Sequence, residues 1–561
     1  MKAKVGVYVC ECGPNIAGKT DLDEIITYLS EFRGFGDVEL VVRKYGFLCS
    51  NQGKEYLEKE IRDLGLTHLV VGACSPRDHD STFKDVCGKT QLNPYLYKII
   101  NIREHCTWVI DDMDKATEKA KSYLRAGIAR VLYQSELFES PIDVNPDVLV
   151  IGGGVAGMEA ALALAGENRS VTIVEKNDTL GGRAGKLRGF SFQEFNKPEQ
   201  VEKLIETILG NPCINVFLDS EVTSVIGFLG NFEIEHVSLE SKVITELFCG
   251  SIITATGADL YETTEESGFK YSESDDVYNS MEITEMLSSG DEITLRSGKE
   301  PETIAIVHCV GREELGYCSG VCCTVMMKTA NMIKARYPDI RITQFYRDIC
   351  LPPSGGQELY AAARSSGVNF VKVQSTGLSG TTVKFKEKNG DEGEQFFDMV
   401  LLASALVPSK DTPALSELLG IPVDETGFFQ EAHRMTNPSA TTTDGVFIVG
   451  TSQGPRNISD SMLFARASAG QILTKLLVGE KLVPEVAVTE ILEAYCTGCG
   501  NCLDVCVYGA IYPDEARGIS IVNEAICRGC GNCYGSCPSG ALRTKHFTNI
   551  QLFREVDEAL R

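Results

Sequence analysis

Short apolar runs alternate with amphipathic stretches through the first hundred residues. Val5–Val9, Glu39–Tyr45, His68–Ala73 and Lys98–Ile102 read as strands. Leu22–Phe32 and Gly53–Leu64 carry apolar residues at helical spacing. Such alternation predicts a small parallel α/β domain, placed at residues 1–144. A second series begins at Pro146. An apolar run to Ile151 leads into glycines, an Ala- and Leu-rich helix spans Met158–Gly166, and Ser170–Val174 reads as the next strand. Further apolar runs follow at Ile252–Thr256, Thr303–His308 and Gly445–Gly450. A helix ending at Gly479 and a short linker, Glu480–Pro484, close this region. The predicted class is α/β in three parts: 1–144, 145–487 and 488–561. No apolar run approaches the roughly 20 residues that span a bilayer.

Composition narrows the function. Lys+Arg 53 against Asp+Glu 78 gives a net charge of −25. Nucleic-acid binding needs a basic face, so it is not expected, and docking on anionic lipid is disfavoured for the same reason. The first ten residues lack a long apolar stretch followed by small residues, so the expected compartment is the cytoplasm. The 561 residues include 21 cysteines. In a cytoplasmic chain, thiols in that number point to metal rather than disulfides.

Eight of them form two runs. Cys496, Cys499, Cys502 and Cys506 are followed by Cys527, Cys530, Cys533 and Cys537. This is the bacterial two-cluster ferredoxin spacing, in which the fourth cysteine of each run ligates the other cluster. One [4Fe–4S] cluster is expected on Cys496, Cys499, Cys502 and Cys537, the other on Cys527, Cys530, Cys533 and Cys506. Zinc would instead need separate tetrahedral sets. Cys309, Cys318, Cys322 and Cys323 stand between the strand at Thr303 and a helix starting near Thr324, and are expected to hold a third cluster. Cys10, Cys12, Cys49, Cys74 and Cys106 lie just past predicted strand ends. Those ends share one edge of a parallel sheet, so the five are expected to converge, four of them holding a further cluster. Cys87, Cys213, Cys249 and Cys350 are read as structural thiols, the last three as buried small hydrophobes.

Gly152, Gly154 and Gly157 form GxGxxG after a strand and before a helix, and Glu175 ends the next strand. That arrangement binds the pyrophosphate and ribose of a dinucleotide. Leu180-Gly-Gly-Arg183, Ile252 to Gly257 and Gly445 to Gly450 continue a series that resembles the two-dinucleotide-domain flavoproteins such as thioredoxin reductase. FAD is therefore the expected cofactor. Its candidate contacts are Gly152, Gly154, Val155, Ala156, Gly157, Glu175, Lys176, Gly182, Arg183, Lys186, Ala255, Thr256, Gly257, Gly450 and Thr451. The second domain of such a flavoprotein should carry its own glycine loop for NAD(P)H. After His308 there is none, and the cysteines stand in its place.

Cys10-Glu-Cys12-Gly13, Ala73-Cys74-Ser-Pro76-Arg77, Asn93-Pro94-Tyr95, Asn101 to Cys106, Tyr317 to Cys323 and Gln453-Gly-Pro-Arg456 resemble the A-subunit of heterodisulfide reductase. The resemblance spans nearly the whole chain. It implies an FAD and iron–sulfur electron-transfer subunit of a multi-subunit complex in an anaerobe. In some members the flavin bifurcates an electron pair between a high-potential acceptor and a low-potential ferredoxin. Many members also carry a second ferredoxin-like module after the Gly-Gly-Arg segment. Here Arg183 runs through Lys186 and Arg188 into a helical stretch at Lys197–Ile208, so that electron exit is missing. A lysine near the flavin in relatives is replaced by Lys186 or Arg188.

The expected partners are other subunits of such a complex, a ferredoxin or a hydrogenase- or dehydrogenase-linked donor, and a second copy of the chain. The cofactors do the chemistry, so no catalytic acid or base is expected. The C-terminal ferredoxin is expected to be the docking and exit module. Two other classes compete: a self-sufficient NAD(P)H oxidoreductase, and a non-catalytic iron–sulfur scaffold. The missing second glycine loop argues against the first.

Overall fold

The computed structural model describes residues 3–186, 199–263, 268–269, 276–352 and 354–561. The chain forms two compact units, Met1–Pro141 with Val483–Arg561, and Ile142–Leu482.

The first unit opens with β1 (Lys4–Cys10), α1 (Leu22–Glu31), β2 (Glu39–Tyr45), α2 (Asn51–Leu64), β3 (His68–Ala73), α3 (Pro76–Gly88), β4 (Tyr97–Asn101) and α4 (Met113–Val131). The sheet order is β2-β1-β3-β4, all parallel. Caps set the helix ends. The Asp21 carboxylate accepts from Glu24 N at 2.9 Å, and Ser50 Oγ from Gly53 N at 3.1 Å. Strand alternation divides the core. Tyr8, Cys10, Leu69, Val71 and Cys74 pack on the α2 and α3 side, whereas Val5, Val7, Val9, Val70 and Cys106 pack with α1 and α4 residues.

The second unit holds two sheets. The first orders Val446–Ile448, Ser251–Thr254, Val148–Ile151, Val171–Val174 and Ile214–Phe217, all parallel. The second orders Val277–Asn279, Met399–Ser404, Thr303–Val310, Arg341–Tyr346 and Asn369–Ser379 in parallel. Thr382–Glu387 and Glu392–Phe396 then extend it antiparallel. Two strand–helix pairs matter below. They are β5 (Val148–Ile151) with α5 (Val155–Leu164), and β6 (Thr303–Val310) with α6 (Cys322–Arg336). The expected linker at 480–484 is partly strand: Lys481–Leu482 pairs antiparallel with Ile142–Asp143, where the chain enters the unit. A helix at Glu199–Leu209 overlaps the stretch expected at Lys197–Ile208. Lys197, Arg188 and the segment between them lie outside the described residues.

The chain then returns to the first unit. Thr489–Ile491 pairs with Leu542–Thr544, and Ile511–Asp514 with Ile519–Val522. A last helix, α7 (Asn549–Leu560), packs on α4. Its buried face is polar: Gln551 and Glu558 are covered, while Ile550, Phe553, Val556 and Leu560 are exposed. Arg125 donates to Glu558 O and pairs with its carboxylate at 3.1 Å. Arg130, only 2% exposed, pairs with Glu555 and donates to His546 O. Buried charges persist only when paired in this way. The first and third of the expected segments therefore share one compact unit.

Candidate flavin and iron–sulfur sites

At the β5–α5 junction the glycines divide the work. Gly152 has φ +108°, and a Cβ there would lie 2.6 Å from Ala255 O. A Cβ on Gly157 would lie 2.0 Å from Gly152 O, so only glycine lets the helix sit this close to the strand. A Cβ on Gly154 would meet nothing within 4 Å. It faces a cavity of about 1510 Å³ lined along one part by the start of α5. The free backbone N–H groups of that helix end suit a pyrophosphate. Glu175 is 6% exposed; its Oε2 accepts from Gly153 N at 2.6 Å and its Oε1 from Asn177 N at 2.9 Å. These bonds hold the carboxylate at the cavity wall, where a ribose hydroxyl can donate to it.

All the expected flavin contacts except Gly157 and Gly450 line this cavity. Gly450, with φ +66°, acts by close approach: its Cβ would lie 2.8 Å from the Ala156 Cβ. Lys176 is tied to Asp411 at 2.9 Å, and this hydrogen bond raises its pKa. Lys186 is exposed on the cavity wall. Arg456, which sequence spacing alone did not place in the site, also lines the cavity. Its Nη1 is buried without a hydrogen-bond partner among the described residues, and burial lowers the guanidinium pKa. Thr256 Oγ1 is likewise buried and has no hydrogen-bond partner among the described residues. A buried guanidinium stacked on the Phe464 ring, an open glycine floor and a helix N-terminus fit an anionic dinucleotide.

The β6–α6 junction has the same plan with a longer loop. Cys309 sits at φ +63°, unusual for a residue with a side chain, and Gly311 follows at φ +86°. Cys322 and Cys323 open α6 and are buried, Cys309 is half-buried and Cys318 is exposed. The four are electrostatic neighbours. A hydrogen bond with Cys323 and burial push the Cys322 thiol up; the same bond and the His308 ring bring Cys323 down. Arg312 Nη1 lies 3.9 Å from Cys309 Sγ and 3.2 Å from Asp348 Oδ2. Four sulfurs at a helix N-terminus fit an anionic iron–sulfur cube.

Cys350 departs from the expectation of a buried structural thiol. It is exposed, lines the flavin cavity with Cys322, and interacts with Cys318 and Cys323. The strand at Arg341–Tyr346 brings it there from 27 residues past Cys323. Cys249 is buried as expected; Cys213 is only half-buried.

In the first unit, Cys12 and Cys49 each neighbour both Cys10 and Cys74. Cys12 is held at φ +44°. Burial pushes the Cys10 thiol up to about 11. Cys106 differs from expectation. It packs on the other face of the sheet, among Val5, Val7 and Ile102, and its charged neighbour is Lys119. Cys87 is fully buried.

The ferredoxin runs interlock. Cys496, Cys499, Cys502 and Cys537 line one small cavity. Cys506, Cys527 and Cys533 are neighbours on the other side. Ser520 N donates to Cys496 Sγ at 3.5 Å and Ala510 N to Cys506 Sγ at 3.3 Å. The first set, and these three thiols of the second, fit cubes drawing their fourth sulfur from the other run. Among the described residues, no three His, Cys, Asp or Glu side chains are grouped as one metal ion requires. A cube of four irons holds its cysteines farther apart than a single ion does.

Residues 146–465 match the pyridine nucleotide-disulphide oxidoreductase family, and residues 495–542 the 4Fe-4S dicluster domain. Among solved structures, thioredoxin reductase of T. acidophilum is 17% identical, with a TM-score of 0.41 over 59% of this chain and 98% of that one. The second iron-sulfur A-subunit of the CoB–CoM heterodisulfide reductase of Methanopyrus kandleri is 32% identical over 100% of this chain and 99% of that protein. The A-subunit of the H(2):CoB-CoM heterodisulfide,ferredoxin reductase of Methanothermobacter marburgensis is 31% identical over 99% of this chain and 97% of that protein. No described helix is long and apolar enough to cross a membrane. The chain is an oxidoreductase subunit for FAD and [4Fe–4S] clusters, and it belongs to the heterodisulfide reductase A-subunit family.

Proposed function

We propose that this chain carries electrons between partner proteins through one FAD and four [4Fe–4S] clusters, within a heterodisulfide-reductase-like complex. The observation that carries this reading is the cavity of the second unit. Its wall runs from the glycine floor at Gly154 to Cys322 and Cys350, so the flavin space reaches the cysteine junction. A flavin exchanges electrons singly or in pairs, whereas each cluster carries one. The protein's own work is to hold them. Gly154 and the start of α5 would seat the pyrophosphate, Glu175 the ribose, and Cys309, Cys318, Cys322 and Cys323 a cluster. Cys10, Cys12, Cys49 and Cys74 are the set proposed for the first unit, and the ferredoxin runs hold the remaining two.

The relatives' names support partners of two kinds. The Methanothermobacter marburgensis protein is named for a heterodisulfide and a ferredoxin, and a Methanosarcina acetivorans protein, 30% identical over 91% of this chain and 75% of that protein, for ferredoxin or F(420)H(2). The Methanopyrus alignment runs over 654 positions against 561 residues here, so that relative has segments this chain lacks. Their absence favours transfer through the flavin over splitting of the pair.

The test uses the full chain, reconstituted without oxygen. About sixteen irons and one FAD are expected, four irons for each cube. NADH should leave the flavin oxidised, and a reduced ferredoxin should bleach it. The Cys322→Ser variant should lose about four irons, keep its flavin and slow that bleaching at least tenfold. Rapid bleaching by NADH would overturn the reading in favour of a self-sufficient NAD(P)H oxidoreductase.

A further inference from the structure

The cavity of the second unit holds a charge that the proposed function does not use. In the first sheet, β5 lies between Ser251–Thr254 and Val171–Val174, with Val446–Ile448 beyond Ser251–Thr254. Glu175 directly follows Val171–Val174, and Arg456 comes eight residues after Ile448. The two therefore line the cavity from opposite sides of the β5–α5 junction. A dinucleotide with its pyrophosphate on α5 and a ribose at Glu175 must carry its other half away from Glu175. That path runs past Gly257 and Thr451, which also line the cavity, towards Arg456. In FAD the other half is the ribityl chain and the flavin ring.

The loop that brings Arg456 there is pinned at both ends. Ser452 is 1% exposed, and its Oγ lies 2.7 Å from Val449 O and 3.2 Å from Thr254 O. Asn457 caps the helix Ile458–Lys475, its side chain accepting from Asp460 N at 2.8 Å. From that helix the Phe464 ring meets the guanidinium, whose carbon is 3.7 Å from the ring centroid. Stacking on a ring holds the group in place and leaves its charge intact. Arg456 Nη1 is buried and has no hydrogen-bond partner among the described residues. Glu431 and Asp460 are the carboxylates that act on it, and neither forms an ion pair with it among the described residues. A guanidinium shielded from water without a counter-ion costs stability, and a ligand of opposite charge removes that cost.

We propose that Arg456 supplies the fixed positive charge that holds the reduced flavin, and so raises the potential at which the flavin accepts an electron pair. The proposal rests on the reading that this cavity holds FAD. Two electrons from a partner protein and one proton from water, added to a neutral flavin, leave one negative charge on the ring. A cation already in place beside the ring stabilises that charge and has no counterpart to stabilise in the oxidised form. Arginine suits the task, because it stays protonated at neutral pH even where burial lowers its pKa. The stack on Phe464 fixes the charge before the electrons arrive.

The test uses the full chain, reconstituted without oxygen and kept in excess FAD. Dithionite titration against a reference dye gives the flavin potential from its absorbance, while EPR follows the clusters. Arg456→Met should make the flavin about tenfold harder to reduce, about 30 mV for two electrons, with the ferredoxin clusters unmoved. Arg456→Lys, which keeps the charge, should stay within about threefold of the wild type. An unchanged potential in flavin-loaded Arg456→Met overturns the proposal, and weaker FAD binding alone would place the guanidinium on the pyrophosphate instead. An equal loss in Arg456→Lys marks a merely structural role and also overturns it. Should Arg456→Met hold no FAD, Arg456→Lys decides: a potential close to the wild type supports the proposal, and a loss of about tenfold overturns it. A wild-type chain that takes up no FAD would remove the flavin reading, and this proposal with it.

Discussion

The two strand–loop–helix junctions of the second unit share a plan and differ in what stands in the loop. At β5–α5 the turn is three glycines long and the helix begins at once, so backbone N–H groups are what the junction offers a ligand. At β6–α6 eleven residues separate strand from helix, and sulfur side chains stand where a phosphate would come close. The first junction has no side chain at the point of contact. The second must fold a longer loop, and three of its glycines, Gly311, Gly316 and Gly320, take positive φ to do so. Parallel sheets gather their ligands at strand ends. On the proposed assignment, the same position in a sheet would serve an organic cofactor or a metal cluster according to the loop alone.

Gly154→Leu should break the comparison most severely. The added side chain enters space the protein leaves open, so the apo-fold should keep its melting temperature within a degree or two. Flavin retention should fall at least tenfold, because overpacking at a filled site costs about 1–3 kcal/mol or more. Absorbance at the flavin bands against iron content checks it, and loss of iron alongside flavin would point to general misfolding.

Gly311→Ala should have a smaller effect at the other junction. A Cβ there meets the Tyr261 ring at 2.7 Å and forces a side chain into positive φ. Left-handed backbone alone costs roughly 1–2 kcal/mol, so about 2 kcal/mol or more of destabilisation is expected, read by urea titration. Gly320→Ala, with the same backbone sign but open space around it, should lose less.

The smallest effect concerns a thiol outside both junctions. Burial pushes the Cys249 thiol up to about 12. A raised pKa stabilises the fold fully below the unfolded value, about 8.5, and this contribution is lost as pH rises towards 12. Stability should therefore decline over that window, and Cys249→Ala should flatten part of the decline. Alkylation at pH 8 should spare Cys249 in the native chain. Rapid labelling there would show that the site opens.

Motifs carried by local spacing were legible in the sequence. The ferredoxin runs and the Gly152 to Gly157 turn are read from neighbours along the chain, and the structure places those residues together. Asp411, Arg456 and Cys350 were not legible as site residues, because strands far apart in sequence bring them to the cavity. Cys106 was misplaced for a related reason: spacing puts it past a strand end but does not say which face it takes. The docking of α7 was hidden more deeply. Its apolar positions, Ile550, Phe553, Val556 and Leu560, suggest an inward face, yet Gln551 and Glu558 are the buried ones. The arginines of α4, 425 and 433 residues away, and Tyr133 O, which accepts from the Gln551 amide, explain that inversion.

The pairing of α7 with α4 also sets an order of events during synthesis. Domains generally fold as they leave the ribosome, those nearest the N-terminus first. Here the four-stranded sheet emerges early, but the partners of Arg125 and Arg130 are made only after all of Ile142–Leu482. For that interval two guanidinium groups destined for burial must remain hydrated, and the first unit waits unfinished while the flavin unit is completed.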